Sequence, residues 1–147
     1  MTLIFVYGTL MRGECRHPPL AEQTFVANAL TTPQYLLYNC GSYPALVDPC
    51  APTSQALHDR RERPDEAHGQ VAGEVPSPQS IAGELYEVDD LTLQRLDEIE
   101  EVDAGLYLRQ RVFLLPPWNE VTAEAWFYNQ PTTHLPLCGN DWRLRPR

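Results

Sequence analysis

Not one lysine occurs among the 147 residues; all eleven basic side chains are arginine. Chemistry that depends on a side-chain amine, such as a Schiff base or a Walker-type phosphate loop, is thereby excluded. The four cysteines, Cys15, Cys40, Cys50 and Cys138, form no C-x-x-C pair. None of His17, His58, His68 and His134 stands at a metal-ligand spacing, so the sequence predicts no metal site. No serine lies in a G-x-S-x-G context, which removes support for a serine hydrolase. Long apolar runs are missing too: residues 3–7 are too short for a signal-peptide core, and nothing approaches the ~20 residues of a membrane span. The chain is therefore expected to be cytoplasmic, with reduced thiols. Positive charge is scarce, and a net charge of −9 argues against nucleic acid or an anionic membrane as partner.

What is present describes an ordinary globular chain, 43% hydrophobic and 21% charged, of a size that fits one domain spanning residues 1–147. Its 14 prolines disfavour a helix bundle and suit strands joined by stiff connections. Residues 3–7 read as a buried central strand ended by Gly8. Further strands are expected at 24–30, 34–39, 45–47, 81–88, 106–115 and 121–128, with a short helix near Pro18 and Pro19. Asp89-Asp90 offers an N-cap to the best helix candidate, residues 91–101. Residues 48–80 are rich in proline and charge and poor in bulky apolar groups, so they read as an exposed, flexible insertion. The tail beyond Gln130 reads as mostly irregular. These elements predict an α+β domain, a small curled sheet or barrel with helices at its side.

Two segments outline a site. On a helical wheel of about 100° per residue, Leu93, Leu96 and Ile99 cover an apolar arc of roughly 120°. Arg95, Asp97, Glu98 and Glu101 fall outside it, as a solvated face would. Glu100 falls inside. A carboxylate held against apolar surface has its charged form disfavoured, so its pKa rises towards neutrality, as general acid/base work requires. The competing reading is that the helix ends by residue 99 and leaves Glu100 in water. The other segment is Tyr7-Gly8-Thr9-Leu10. A strand ending at glycine is either a plain turn or a place where ligand approaches the backbone and meets its N–H groups. The aromatics Tyr38, Tyr43, Tyr86, Trp126 and Phe127 read as core.

Four segments carry a resemblance to the γ-glutamyl cyclotransferase-like superfamily, in particular its AIG2-like branch. Phe5-Val6-Tyr7-Gly8-Thr9-Leu10 resembles the family's Y-G-[ST]-L loop, and Gly41-Ser42-Tyr43-Pro44-Ala45-Leu46-Val47 its next segment. Ile81-Ala82-Gly83-Glu84-Leu85-Tyr86-Glu87-Val88 resembles its G-E-[LV]-Y-x-[VI] strand. Leu96-Asp97-Glu98-Ile99-Glu100, with Tyr107 seven residues on, resembles its L-D-x-x-E helix end. The resemblance implies a mixed β-barrel with flanking helices and a cyclisation of a γ-glutamyl group to 5-oxoproline that releases an amine. It implies Glu100 as general acid/base and Tyr7, Gly8, Thr9 and Leu10 as substrate-binding positions, with Tyr43, Tyr107 and Tyr128 expected beside them. No cofactor is expected; the expected partner is a small γ-glutamyl molecule. Many members carry glycine after the glutamate, where this chain has Glu101. The rival reading is a non-catalytic small-molecule binding or regulatory module, which has no use for a proton-exchanging carboxylate. Removal of a γ-glutamyl protecting group would share the chemistry and change only the leaving amine.

Overall fold

The computed structural model describes residues 1–14, 16–49 and 77–144. Within them the strands are β1 (Thr2–Val6), β2 (Thr24–Leu30), β3 (Leu36–Asn39), β4 (Pro44–Val47), β5 (Ala82–Val88), β6 (Tyr107–Val112) and β7 (Ala123–Tyr128). The α-helix α1 (Asp90–Ile99) follows β5, and single 3-10 turns occur at Pro18–Leu20 and Trp142–Leu144. Five strands form a mixed sheet in the order β2-β5-β1-β7-β6; β3 and β4 form a separate antiparallel pair. β1 runs antiparallel to β5 and parallel to β7. Its central place explains its unbroken apolar sequence, since Ile4, Phe5 and Val6 are flanked on both edges and at most 2% exposed.

The expected barrel is not closed. The sheet's edges approach each other through a Thr31–Leu114 bridge, with the Leu115 N–H donating to the Leu30 carbonyl at 2.9 Å. Among the described residues no ladder joins β2 to β6, and one α-helix flanks the sheet rather than several. Pro116 and Pro117 follow directly and have no N–H to continue the pairing.

Asp89 caps α1 by accepting the Thr92 N–H at 2.7 Å. Leu96 is fully buried, with Leu93 and Ile99 packed beside it, which is the stripe the sequence predicts. Asp97, expected in solvent, instead accepts from the Trp126 indole at 2.8 Å and from Arg109, which also pairs with Glu124. These contacts pin the helix to β6 and β7. The tail is largely irregular yet docked: Trp142 is fully buried, and the Cys138 N–H donates to the Leu37 carbonyl at 3.0 Å. Of the expected insertion at 48–80, residues 50–76 lie outside the described residues. Its flanks belong to the fold, because Tyr35 and Gln79 exchange backbone hydrogen bonds and Gln34 donates to Asp48. No helix of the described residues is long and apolar enough to cross a membrane.

Candidate active site

Where β1 ends, the chain turns and leaves a small cleft open to solvent. The strand end supplies Tyr7 and the loop Gly8-Thr9-Leu10; the turn into β4 supplies Tyr43 and Pro44; Glu100, Tyr107 and Trp126 complete the wall. The carboxylate and the loop that the sequence singles out therefore face one space.

Gly8 has a close neighbour that a strand ending at glycine does not reveal. A Cβ there would lie 2.3 Å from Pro44 Cγ and 2.7 Å from Cδ, so the close approach is by the proline ring. Gly8→Val must then displace β4, and we expect it to lower the melting temperature as well as ligand affinity. Thermal unfolding measured beside calorimetry checks this; an unchanged melting temperature would return Gly8 to a pure ligand-clearance role.

The loop is stitched locally, the Met11 N–H donating to the Gly8 carbonyl at 3.0 Å and the Arg16 N–H to the Thr9 carbonyl at 2.8 Å. The N–H groups of Thr9 and Leu10 meet no acceptor among the described residues. They are the backbone donors available to an anion or a carbonyl oxygen.

Two tyrosines latch the walls. The Tyr7 hydroxyl donates to the Trp126 carbonyl, and the Tyr107 hydroxyl to the Pro44 carbonyl. Burial pushes both phenols well above their ordinary value, and the Glu100 carboxylate adds to the effect. Both therefore stay protonated, with their protons committed to backbone carbonyls. Neither can serve as a base near neutral pH.

Glu100 is different. α1 stops at Ile99, but the Glu100 N–H still donates to the Leu96 carbonyl at 2.9 Å, so the residue keeps its helical phase. Its carboxyl enters the cleft wall instead of water. Burial raises its pKa to about 7; Arg16 opposes the rise, and neighbouring Glu101 adds to it. Glu101 adopts φ 55 and is exposed.

Tyr128, also expected at the site, is not among the residues lining the cleft. It packs edge-on against Tyr107, with ring centroids 5.6 Å apart, and its phenol is pushed up to about 12 by burial and by Cys40. Arg16 is the residue that sequence reasoning missed. Its backbone is tied to Thr9, its Nη1 reaches the Ile99 carbonyl at 3.5 Å, and its charge acts on both Glu100 and Tyr43. Only the folded loop brings it to Glu100, across 84 residues of sequence.

Residues 4–144 match the profile of the family described as γ-glutamyl cyclotransferase, AIG2-like. The chain belongs to that family. A Vibrio cholerae protein, named provisionally as a γ-glutamylcyclotransferase, is 33% identical over 132 residues, covering 90% of this chain and 84% of that one. The Niallia circulans γ-L-glutamyl-butirosin B γ-glutamyl cyclotransferase is 31% identical over 101 residues, 69% of this chain and 47% of that one. Among solved structures, a mouse AIG2-like protein superposes with a TM-score of 0.64 at 24% identity, covering 100% of this chain and 97% of that one. A Pyrococcus horikoshii protein gives a TM-score of 0.65 at 22% identity, with coverage of 97% and 90%. These structural likenesses carry the cyclotransferase-like fold.

Proposed function

We propose that this family member is an enzyme that cyclises a γ-glutamyl group to 5-oxoproline and releases an amine, with Glu100 moving the proton. The observation that carries the reading is a carboxyl of pKa about 7 in the wall of a cleft that Thr9 and Leu10 also line, their backbone N–H groups meeting no acceptor among the described residues. The substrate's α-amine attacks its own γ-carbonyl carbon. One C–N bond forms, the bond to the leaving nitrogen breaks, and no water is consumed. Glu100 as carboxylate takes a proton from the α-ammonium and delivers it to the leaving nitrogen; the ring nitrogen sheds a second proton, which the released amine takes up as it becomes an ammonium. The loop N–H groups hold the substrate's carboxylate or the developing oxyanion. The nucleophile is tethered to its target, so most of the orientational entropy is already settled in the substrate. The tyrosines shape the walls and exchange no proton.

The test is a panel of γ-glutamyl peptides, amino acids and amines assayed for 5-oxoproline. Release from at least one is expected; saturable binding without release supports the binding-module alternative. The base must be ionised, so kcat/KM should fall about tenfold per pH unit below an apparent pKa near 7. Arg16→Gln removes the charge that favours the ionised form. The acid limb should move to higher pH, lowering the rate at pH 6.5 by roughly twofold and hardly altering it at pH 9, since an exposed arginine is partly screened. A limb that stays put or moves downward separates Arg16 from the proton-transfer group.

A further inference from the structure

Outside the cleft, the strongest concentration of charge surrounds Glu84, a carboxylate only 2% exposed in the middle of β5. Its Oε1 accepts the Arg12 backbone N–H at 3.0 Å and the Tyr86 hydroxyl at 3.1 Å. Its Oε2 meets Arg12 Nε at 3.3 Å and Arg143 Nη1 at 3.7 Å. The register pairs Glu84 with Val6, the last residue of β1, so the carboxylate sits beside the point where the cleft loop leaves the sheet.

A buried ion cluster is by itself weak evidence for a role, because apolar residues of similar volume often serve stability as well. Three features go further. The first is the bond to a backbone N–H, which fixes the position of the chain itself and which no apolar side chain could make. The second is where that bond falls. Gly8 opens the loop wedged against Pro44, and Arg12 closes it bonded to Glu84, so the N–H groups of Thr9 and Leu10 are suspended between two fixed ends. The third is the way each cation is held. The Arg12 guanidinium lies 3.9 Å over the Phe25 ring, and Arg143 pairs with Asp141 beside the fully buried Trp142. Loop, sheet and tail thus meet at one carboxylate.

We propose that Glu84 is a positioning residue: it holds the Gly8–Arg12 loop so that the loop's N–H donors are set for the γ-glutamyl carboxylate, and thereby it fixes substrate affinity. This rests on the cyclotransferase reading for the identity of the ligand. It acts on binding common to ground and transition states, so its removal belongs in KM and not in kcat.

The experiment uses the full chain carrying Glu84→Gln, which keeps the size but lacks the charge. Hydrogen exchange of the Met11 and Arg12 amides, which are bonded to the Gly8 carbonyl and to Glu84, should quicken, that of Arg12 about tenfold, as expected when a bond to a charged acceptor is weakened. KM for a γ-glutamyl substrate and the Kd of 5-oxoproline should rise roughly tenfold, with kcat within twofold and the acid limb unmoved. Should that variant fail to fold, Glu84→Asp keeps the charge but withdraws it from the Arg12 N–H, and should move exchange and KM in the same direction by less. A lowered melting temperature with unchanged KM and unchanged exchange at Met11 and Arg12 would make Glu84 merely structural and overturn the proposal. A kcat loss at constant KM would overturn it as well. Failure of the cyclotransferase reading shows differently, as wild-type protein with neither turnover nor 5-oxoproline binding.

Discussion

Glu100→Gln is expected to lower kcat for 5-oxoproline release by ~10²–10⁴-fold, the usual cost of losing a positioned acid/base. The amide keeps the size and hydrogen-bonding capacity of the carboxyl but exchanges no proton near neutral pH. The stability change should have the opposite sign. Burial raises the Glu100 pKa from 4.5 to about 7, so between those values the folded protein binds the proton more tightly than the unfolded chain. Stability therefore falls as pH rises through this window, and above it the folded protein carries an ionised group in an unfavourable place. The wild-type melting temperature should drop between pH 5 and pH 8 by more than that of Glu100→Gln. At pH 8 the variant should melt a few degrees higher, of order 4 °C. Glu98→Gln and Glu101→Gln, both at exposed positions, should change the rate little. A fully active Glu100→Gln would move the proton-transfer role elsewhere, with Glu101 the next residue to test.

The largest expected loss of stability comes from one methyl group. At Gly83, a Cβ would lie 2.4 Å from the Val6 carbonyl oxygen and 2.6 and 2.9 Å from atoms of the Phe5 ring. β5 sits between β2 and β1 and cannot move from one neighbour without pressing on the other. Alanine is ordinarily kinder to a strand than glycine, so propensity alone predicts a small gain. Overpacking against backbone should win, at about 3 kcal/mol, with a melting temperature lower by roughly 10 °C. A change under 2 °C would mean that the sheet yields more readily than its packing implies. Gly83 precedes Glu84, so any strand shift that relieves the clash should also disturb Arg12.

The strands were legible because apolar runs are bounded by glycine, proline and asparagine, and β2 falls at 24–30, where the sequence places it. The helix was legible from its cap and its stripe. Glu100 was picked out by a wheel that assumed a helix reaching residue 101, whereas α1 stops at Ile99; the prediction of its place survives because the bond to Leu96 carries the helical phase one residue further. The roles of Asp97, Arg16 and Glu84 were not legible. Their partners, Trp126, Glu100 and Arg12, lie 29, 84 and 72 residues away, beyond any local pattern. Gly8 is legible as a special position, but nothing in a strand-glycine pattern reveals the proline ring from another sheet beside it. For Tyr128, alternation along β7 gives its face, but not its packing against Tyr107.

The left-handed backbone at Glu101 parts two chemically identical neighbours: Glu100 keeps the helical phase and lines the cleft, and Glu101 leaves it. Continuing the right-handed path would have carried the chain onward along the helix axis; reversing hand at 101 folds it back, and the carbonyl of Glu101 then accepts the Leu106 N–H at 3.2 Å. Consecutive carboxyl groups are thereby separated, one half-buried in the cleft wall and one exposed. In relatives with glycine at this place, the dihedral brings no steric conflict. Here the Cβ of Glu101 opposes it, and the Leu106 N–H bond to the Glu101 carbonyl is one of the contacts that hold the reversed turn. The helix before Glu100 gives that acid its bearing; the reversed hand after it turns the next one away.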